Sequence, residues 1–197
     1  MNKILFVFLL LFSFPLIAQK AVKDEIDHKL VTYETHSLEY KNFTLPTPVE
    51  GKKIDLREFT KGKKLVLVTY FAAWCDNSNH DYETIKELLK KFGDKGLAVI
   101  GICNYSAEQE VKDFIKTHQP GYPICIENSD EKAREKSTHF AYRKQCGDTR
   151  KWGTPFSILI EAKNMKSEGE VFATEVQSAN GEMDRKEAEK LIKKLLK

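Results

Sequence analysis

The chain has 197 residues, 41% of them hydrophobic, with 32 basic and 29 acidic side chains and a formal charge of +3. That length and apolar content suffice for one ordinary domain with its own core. A balance so near neutral argues against a nucleic-acid or polyanion partner, and four cysteines are too few for a scaffold held together by disulfides.

Met1-Asn2-Lys3 is followed by an apolar run from Ile4 that ends near the small residue Ala18. One basic residue, a short apolar stretch and a small residue mark residues 1–18 as a secretory signal peptide. The run is shorter than the roughly 20 apolar residues of a spanning helix; an uncleaved membrane anchor is the alternative. No cysteine lies near the cut to carry a lipid, and Cys75, Cys103, Cys125 and Cys146 all fall beyond it. Residues 19–39 are charged and weakly periodic and read as a linker or N-terminal arm. The domain proper is expected over 40–197.

Within it, 40–45 alternates, with Phe43 and Leu45 inward, and 52–56 after Gly51 is its hairpin partner. Residues 65–72 are apolar on both faces, as in a central strand covered on both sides. A helix follows over about 78–92, with Tyr82, Ile85, Leu88, Leu89 and Phe92 on one face and Gly93 as its cap. A second apolar strand spans 97–103. Ser106 to Gln109 is read as a capping box for a helix carrying Val111, Phe114 and Ile115, which Pro120-Gly121 stops. A short strand over 122–126, a polar helix over 129–145, strands over 155–160 and 170–176, and an amphipathic helix after Asp184 complete the order. The first half implies parallel strands with helical crossovers, and the last two strands suit an antiparallel pair.

The stretch LVLVTYFAAWCDNSNHD, 65–81, organises this pattern. A strand handing over to a helix leaves the first turn's N–H groups unpaired, and these donors with the helix dipole favour an anion there. Cys75 stands at that point and is expected to be a redox nucleophile, since the thiolate is the reactive form of cysteine.

The pattern resembles the thioredoxin superfamily, and most closely its TlpA-like exported branch, the redoxin group that also takes in peroxiredoxins. The residues that carry the resemblance are Tyr70-Phe71-Ala72-Ala73-Trp74-Cys75, the strand Val99 to Ile102, and Gly153-Thr154-Pro155 before a strand. The resemblance covers about 40–197. It implies an α/β thioredoxin fold, a central mixed β-sheet flanked by helices on both faces. It also implies a cis-proline loop at Thr154-Pro155 that, with Trp74, docks the substrate backbone. The family signature is Cys-x-x-Cys; here Ser78 stands where the resolving cysteine would be. Cys75 is still able to form a mixed disulfide, whereas Ser78 is limited to donating a hydrogen bond. Asp76 opposes the helix dipole. Asp81 matches the acidic residue that assists proton transfer in such relatives. Cys103, at the end of the neighbouring strand, and Cys146, in the loop leading to Thr154-Pro155, are possible resolving thiols for Cys75; a Cys103–Cys146 structural disulfide is the alternative.

Plainer readings stand beside these. Cys125 suits a core filler, and His80, His118 and His139 suit solvated helix faces. No metal is expected, because copper-binding relatives use a second cysteine that is missing here. Trp152 fits either a core cap or a rim residue over the thiol, and the lysine-rich last helix a solvated face. Arg134, Arg143 and Arg150 raise the arginine that activates peroxide in peroxiredoxins, but Ala72 stands where those have threonine.

The expected function is that of an exported, periplasmic thiol–disulfide oxidoreductase with no cofactor. Its partners would be protein thiols and disulfides and a thiol electron donor, with membrane contact only if the leader is retained. A thioredoxin-fold binding module without turnover and a peroxide-reducing redoxin are the rival readings.

Overall fold

A computed structural model describes residues 29–197. The expected signal peptide, and the arm as far as residue 28, lie outside the described residues.

Six strands form the main sheet: β1 (Glu34–Lys41), β4 (Leu65–Phe71), β5 (Leu97–Asn104), β6 (Ile124–Asn128), β7 (Phe156–Glu161) and β8 (Val171–Ala179), in the order β1-β8-β7-β4-β5-β6. β4, β5 and β6 run parallel, and β7, β8 and β1 each pair antiparallel with the neighbour that precedes them along the sheet from β4. All seven residues of β4 are buried, because both faces of this central strand are covered. Val66, Val68 and Tyr70 pack on one face with Ala98, Ile100 and Ile102. Leu65 and Leu67 pack on the other with Ile85 and Leu88. Each such aliphatic side chain contributes roughly 1.5–3 kcal/mol by leaving water.

The second face carries α2 (Asp76–Phe92), α3 (Glu108–His118) and α5 (Arg185–Leu195); the first carries α4 (Thr138–Gln145), the short α1 (Leu56–Phe59) and a hairpin of β2 (Thr44–Pro46) with β3 (Lys53–Asp55). Helices thus flank a mixed sheet on both faces, as expected. The register of the hairpin differs from expectation. Tyr40 belongs to β1 and faces inward to share a hydroxyl–hydroxyl hydrogen bond of 2.7 Å with Tyr70, and only 44–46 pair with β3. β1 begins inside the stretch read as an arm, with Leu38 and Tyr40 buried between exposed neighbours. Ahead of it, Val31 pairs with the turn before α5: its N–H donates to the Glu182 carbonyl, and its own carbonyl accepts from the Asp184 N–H, both at 2.8 Å.

The polar helix expected over 129–145 is broken in two. Ser137 ends a 3-10 turn (Glu131–Lys136) and starts α4, its hydroxyl accepting from the Phe140 N–H at 3.1 Å. A serine cap satisfies a donor that a continuous helix would have paired otherwise. The Asp184 carboxylate caps α5 by accepting from the Glu187 N–H at 3.0 Å. At α3 only half of a capping box forms, one residue later than expected, because the N-cap side chain has no acceptor. Its N-cap is Ala107, whose N–H donates to the Glu110 carboxylate at 2.8 Å.

Candidate active site around Cys75

β4 ends at Phe71, and the chain turns through Ala72 to Trp74 so that the Cys75 N–H donates to the Ala72 carbonyl at 3.1 Å. Cys75 is the N-cap of α2, in an extended conformation, and its side chain makes no capping bond to the helix. Its sulfur is therefore free to turn outward, where it donates to the Thr154 carbonyl at 3.6 Å. Thr154-Pro155 is a cis peptide at the start of β7, which neighbours β4. The antiparallel pairing sets the C-terminal end of β4 beside the N-terminal start of β7, and so brings the cysteine and the proline loop to one edge of the sheet.

Residues that follow β5 hold the turn from the other side. The Ser106 hydroxyl, expected in a capping box, instead accepts from the Ala73 N–H at 2.9 Å. The Trp74 Nε1–H donates to the Tyr105 carbonyl at 2.6 Å, from a Tyr105 backbone with φ of 61°. Trp74 is 39% exposed and meets Trp152 edge-on at 5.5 Å. Trp152 is half-buried, a rim residue against Trp74, with Arg134 and Lys151 each 5.1 Å from its ring centre.

Ser78 and Asp81 lie on the buried side of α2. The Ser78 hydroxyl has no hydrogen-bond partner, so the expected bond to the sulfur is not made. Asp81 accepts from the Met183 N–H at 2.8 Å through one oxygen, while its other oxygen has no partner. Burial, with Glu182 adding to it, pushes the carboxyl up to about 7 against the pull of that N–H. The same contact ties α2 to the turn that Val31 pairs with.

The four cysteines are all free, and only Cys75 is not buried. Cys103 packs with Phe71, Tyr82 and Phe114 on the face of α2 and α3, while Cys125 and Cys146 pack in the cluster on the opposite face. A Cys103–Cys146 disulfide would have to pass through the sheet, so that expectation is corrected. Burial raises the Cys103 thiol to about 12, against hydrogen bonds from Ser106 and Ala73. A thiol kept protonated is a poor resolving group. Cys125 is a core filler, as expected, with its thiol also at about 12 through burial.

His139, expected on a solvated face, is instead fully buried. Its Nε2 lies 3.2 Å from the Gly153 carbonyl and its Nδ1 2.8 Å from the Tyr105 hydroxyl. A carbonyl only accepts, so Nε2 carries the proton and Nδ1 accepts from Tyr105. Burial first, and Arg143 second, lower its pKa to about 3; the ring is neutral and structural. Arg143, which the sequence offers only as a peroxide-site arginine, is also fully buried. No local pattern marks either residue, because their partners lie on loops distant in sequence or beyond the helix end. His80 is exposed and lies 3.6 Å from the Glu182 carboxylate, and His118 packs on Phe114 and Tyr82.

A groove of about 1260 Å³ lies at the opposite edge of the sheet, near Gly96 and the C-terminal half of α5, and takes no part in this site.

The chain is 32% identical over 93 residues to the thiol-disulfide oxidoreductase ResA of Bacillus thuringiensis subsp. konkukian, covering 47% of this chain and 52% of that protein. It is 35% identical over 89 residues to the thioredoxin-like protein YneN of Bacillus subtilis, covering 44% and 50%. The chain thus spans about half the length of the curated relatives it matches. Among solved structures, a secreted thiol-disulfide isomerase from Corynebacterium glutamicum superposes with a TM-score of 0.58 at 16% identity, covering 87% of this chain and 94% of that one. A thiol:disulfide interchange protein of the thioredoxin family from Chlorobium tepidum superposes at 0.57 with 20% identity, covering 82% and 98%. The fold is the thioredoxin fold. A family model described as AhpC/TSA matches residues 38–151, a stretch that holds β4, Cys75 and α2 and more than half of the sequence: the chain belongs to the AhpC/TSA family.

Proposed function

We propose that the chain is an exported thiol–disulfide oxidoreductase acting on protein disulfides through the single thiolate of Cys75. The observation that carries this reading is the placement of the one unburied cysteine at the N-terminus of α2, 3.6 Å from the Thr154 carbonyl of the proline loop. In the reaction, the Cys75 thiolate attacks one sulfur of a substrate disulfide. A Cys75–substrate disulfide forms, and the other substrate sulfur leaves as a thiolate. Ser78 cannot expel the bound substrate. A second thiol, from the substrate itself or from a separate donor, attacks the mixed disulfide and regenerates Cys75. Attack by the substrate's own thiol rearranges its disulfides without net electron transfer; attack by one donor thiol leaves a donor–substrate disulfide, and a second donor thiol then releases the reduced substrate and the oxidised donor disulfide. Trp74 and the Thr154-Pro155 backbone dock the substrate chain. Asp81, with a carboxyl near 7, holds or releases a proton on the buried side of α2 at neutral pH. The signal-peptide pattern over residues 1–18 supports the reading of export to the periplasm.

The test is the reduction of a disulfide-bonded peptide with a small thiol in excess. Cys75→Ala should abolish the protein-dependent rate, and omission of the small thiol should leave a mixed disulfide visible by intact mass. A Cys75→Ala variant with the full rate would end this reading. One observation favours a binding module instead: Ser78 is buried and without a partner at the position of the resolving thiol. That reading requires Cys75→Ala to leave partner binding intact. The peroxide-reducing alternative finds less support, because Arg143 and Arg150 are held by Asp148 and by loop carbonyls; it requires rapid sulfenic acid formation at Cys75.

A further inference from the structure

The loop from Asp148 to Pro155 has no regular secondary structure, yet five of its carbonyls, those of 150, 151, 153, 154 and 155, accept from side chains. Arg143, buried under it, donates through Nη1 to the Arg150 carbonyl at 2.8 Å and through Nη2 to the Lys151 carbonyl at 3.1 Å. Arg150 reaches back along its own chain: Nη2 lies 3.0 Å from the Gly153 carbonyl and 3.0 Å from the Pro155 carbonyl. Asp148 sits between the two guanidinium groups, 2.7 Å from Arg150 and 3.5 Å from Arg143. Burial alone would raise its pKa, but the Arg150 guanidinium, with Arg143 behind it, holds the carboxyl below the usual carboxylate range. Four carbonyls between 150 and 155 therefore turn toward arginines, while that of Thr154 turns toward the Cys75 sulfur.

We propose that Arg150 is a positioning residue of the thiol site, clamping the carbonyls on either side of Thr154 so that the backbone edge beside Cys75 is fixed before a substrate chain arrives. This rests on the thiol–disulfide reading above. The clamp needs a planar group with several donors. Guanidinium offers a fork that meets a carboxylate and two carbonyls together, whereas an ammonium is a single point. Gly153 completes the device. Its φ is +71°, and a Cβ there would lie 2.4 Å from the Arg143 Cδ, so the loop closes onto the arginine only where there is no side chain. An edge fixed in advance spares the ordering that a mobile loop would undergo on binding.

The clamp acts on docking and not on the sulfur, and this separates it from a general loss of structure. In the peptide assay with small thiol in excess, Arg150→Gln should raise KM about tenfold with kcat within about twofold, the pattern of lost uniform binding. Alkylation of Cys75 by iodoacetamide should stay within about twofold of wild type, since the thiol and α2 are untouched. Arg150→Lys, which keeps the charge but not the fork, should recover part of the loss, to about threefold in KM. Amide exchange followed by mass spectrometry should accelerate in Arg150→Gln over the peptide spanning 150–156 and not over α2. An unchanged KM, or alkylation and exchange altered throughout the chain, would overturn the proposal. If the wild type shows no turnover, the thiol–disulfide reading fails by itself. The clamp is then judged by the exchange result alone, and no acceleration over 150–156 would dismiss it.

Discussion

Replacing Asp81 with asparagine should remove a pH-dependent burden on stability. Burial, with Glu182 beside it, moves the carboxyl from 3.8 to about 7, against the Met183 N–H. Between those values the folded chain keeps a proton that the unfolded chain has released. The stability contributed by this group is therefore present at low pH and falls as pH rises through that window. At ~1.36 kcal/mol per pH unit, the whole interval corresponds to roughly 4 kcal/mol. Between about pH 5 and about pH 8 the loss is roughly 2.5 kcal/mol. His139 works the other way. Its folded value of about 3 lies below the ordinary 6.5, so its contribution is complete above 6.5 and is lost as pH falls toward 3. The two slopes largely offset each other in the wild type, and a pH profile of the wild type alone would hide both. The difference between Asp81→Asn and wild type isolates the carboxyl, because His139 is common to both and asparagine still offers an oxygen to the Met183 N–H. Urea unfolding at about pH 5 and about pH 8 should show the variant gaining roughly 2.5 kcal/mol on the wild type. A difference that does not change with pH would refute the assignment of a protonated, buried Asp81.

Further outcomes follow from the same contacts. Gly153→Ala should lower stability by roughly 3 kcal/mol or more in thermal unfolding, because the new Cβ meets Arg143 and the backbone is left-handed there. Ser106→Ala should cost about 1–2 kcal/mol by leaving the Ala73 N–H without its acceptor, and chemical denaturation measures it. Tyr105→Phe should cost about 1–3 kcal/mol, since the buried His139 Nδ1 then has no donor; the same titration reads it. Ser78→Cys should release substrate from the mixed disulfide at least about tenfold faster without added thiol, as an internal attack replaces a bimolecular one. Rapid-quench intact mass would follow the decay, and an unchanged lifetime would count against the buried face of α2 being within reach of Cys75.

The central strands are legible because both their faces are covered, and the helix after Cys75 because one face of it is. The runs in β4, β5 and β7 need no alternation, and the spacing of Tyr82, Ile85, Leu88 and Phe92 fits one buried helix stripe. β1 is obscured for the opposite reason: only Leu38 and Tyr40 are buried, and the polar and charged residues around them, Glu34, Glu39 and Lys41 among them, resemble an arm. The thiol, the tryptophan beside it and Thr154-Pro155 were found through local motifs. The sequence does not mark His139, Arg143 and Ser106, because their roles are defined by carbonyls and amides of other loops, and backbone groups leave no trace in residue type. The shifted cap of α3 has the same origin: Ser106 is drawn to the Ala73 N–H and leaves the capping position to Ala107.

The groove at the edge of the sheet away from Cys75 is bordered by Lys64, Lys91, Lys95, Lys190, Lys193 and Lys197 among others, against only Asp94 and Glu189. A whole-chain charge of +3 conceals this polarity. On a sulfonated resin the protein should be retained even at the isoelectric pH of about 8.5 that its composition gives, because adsorption senses the local density of ammonium groups and not their sum. It would lie on the beads lysine end down, leaving the sulfur turned toward the flowing buffer and open to titration while bound.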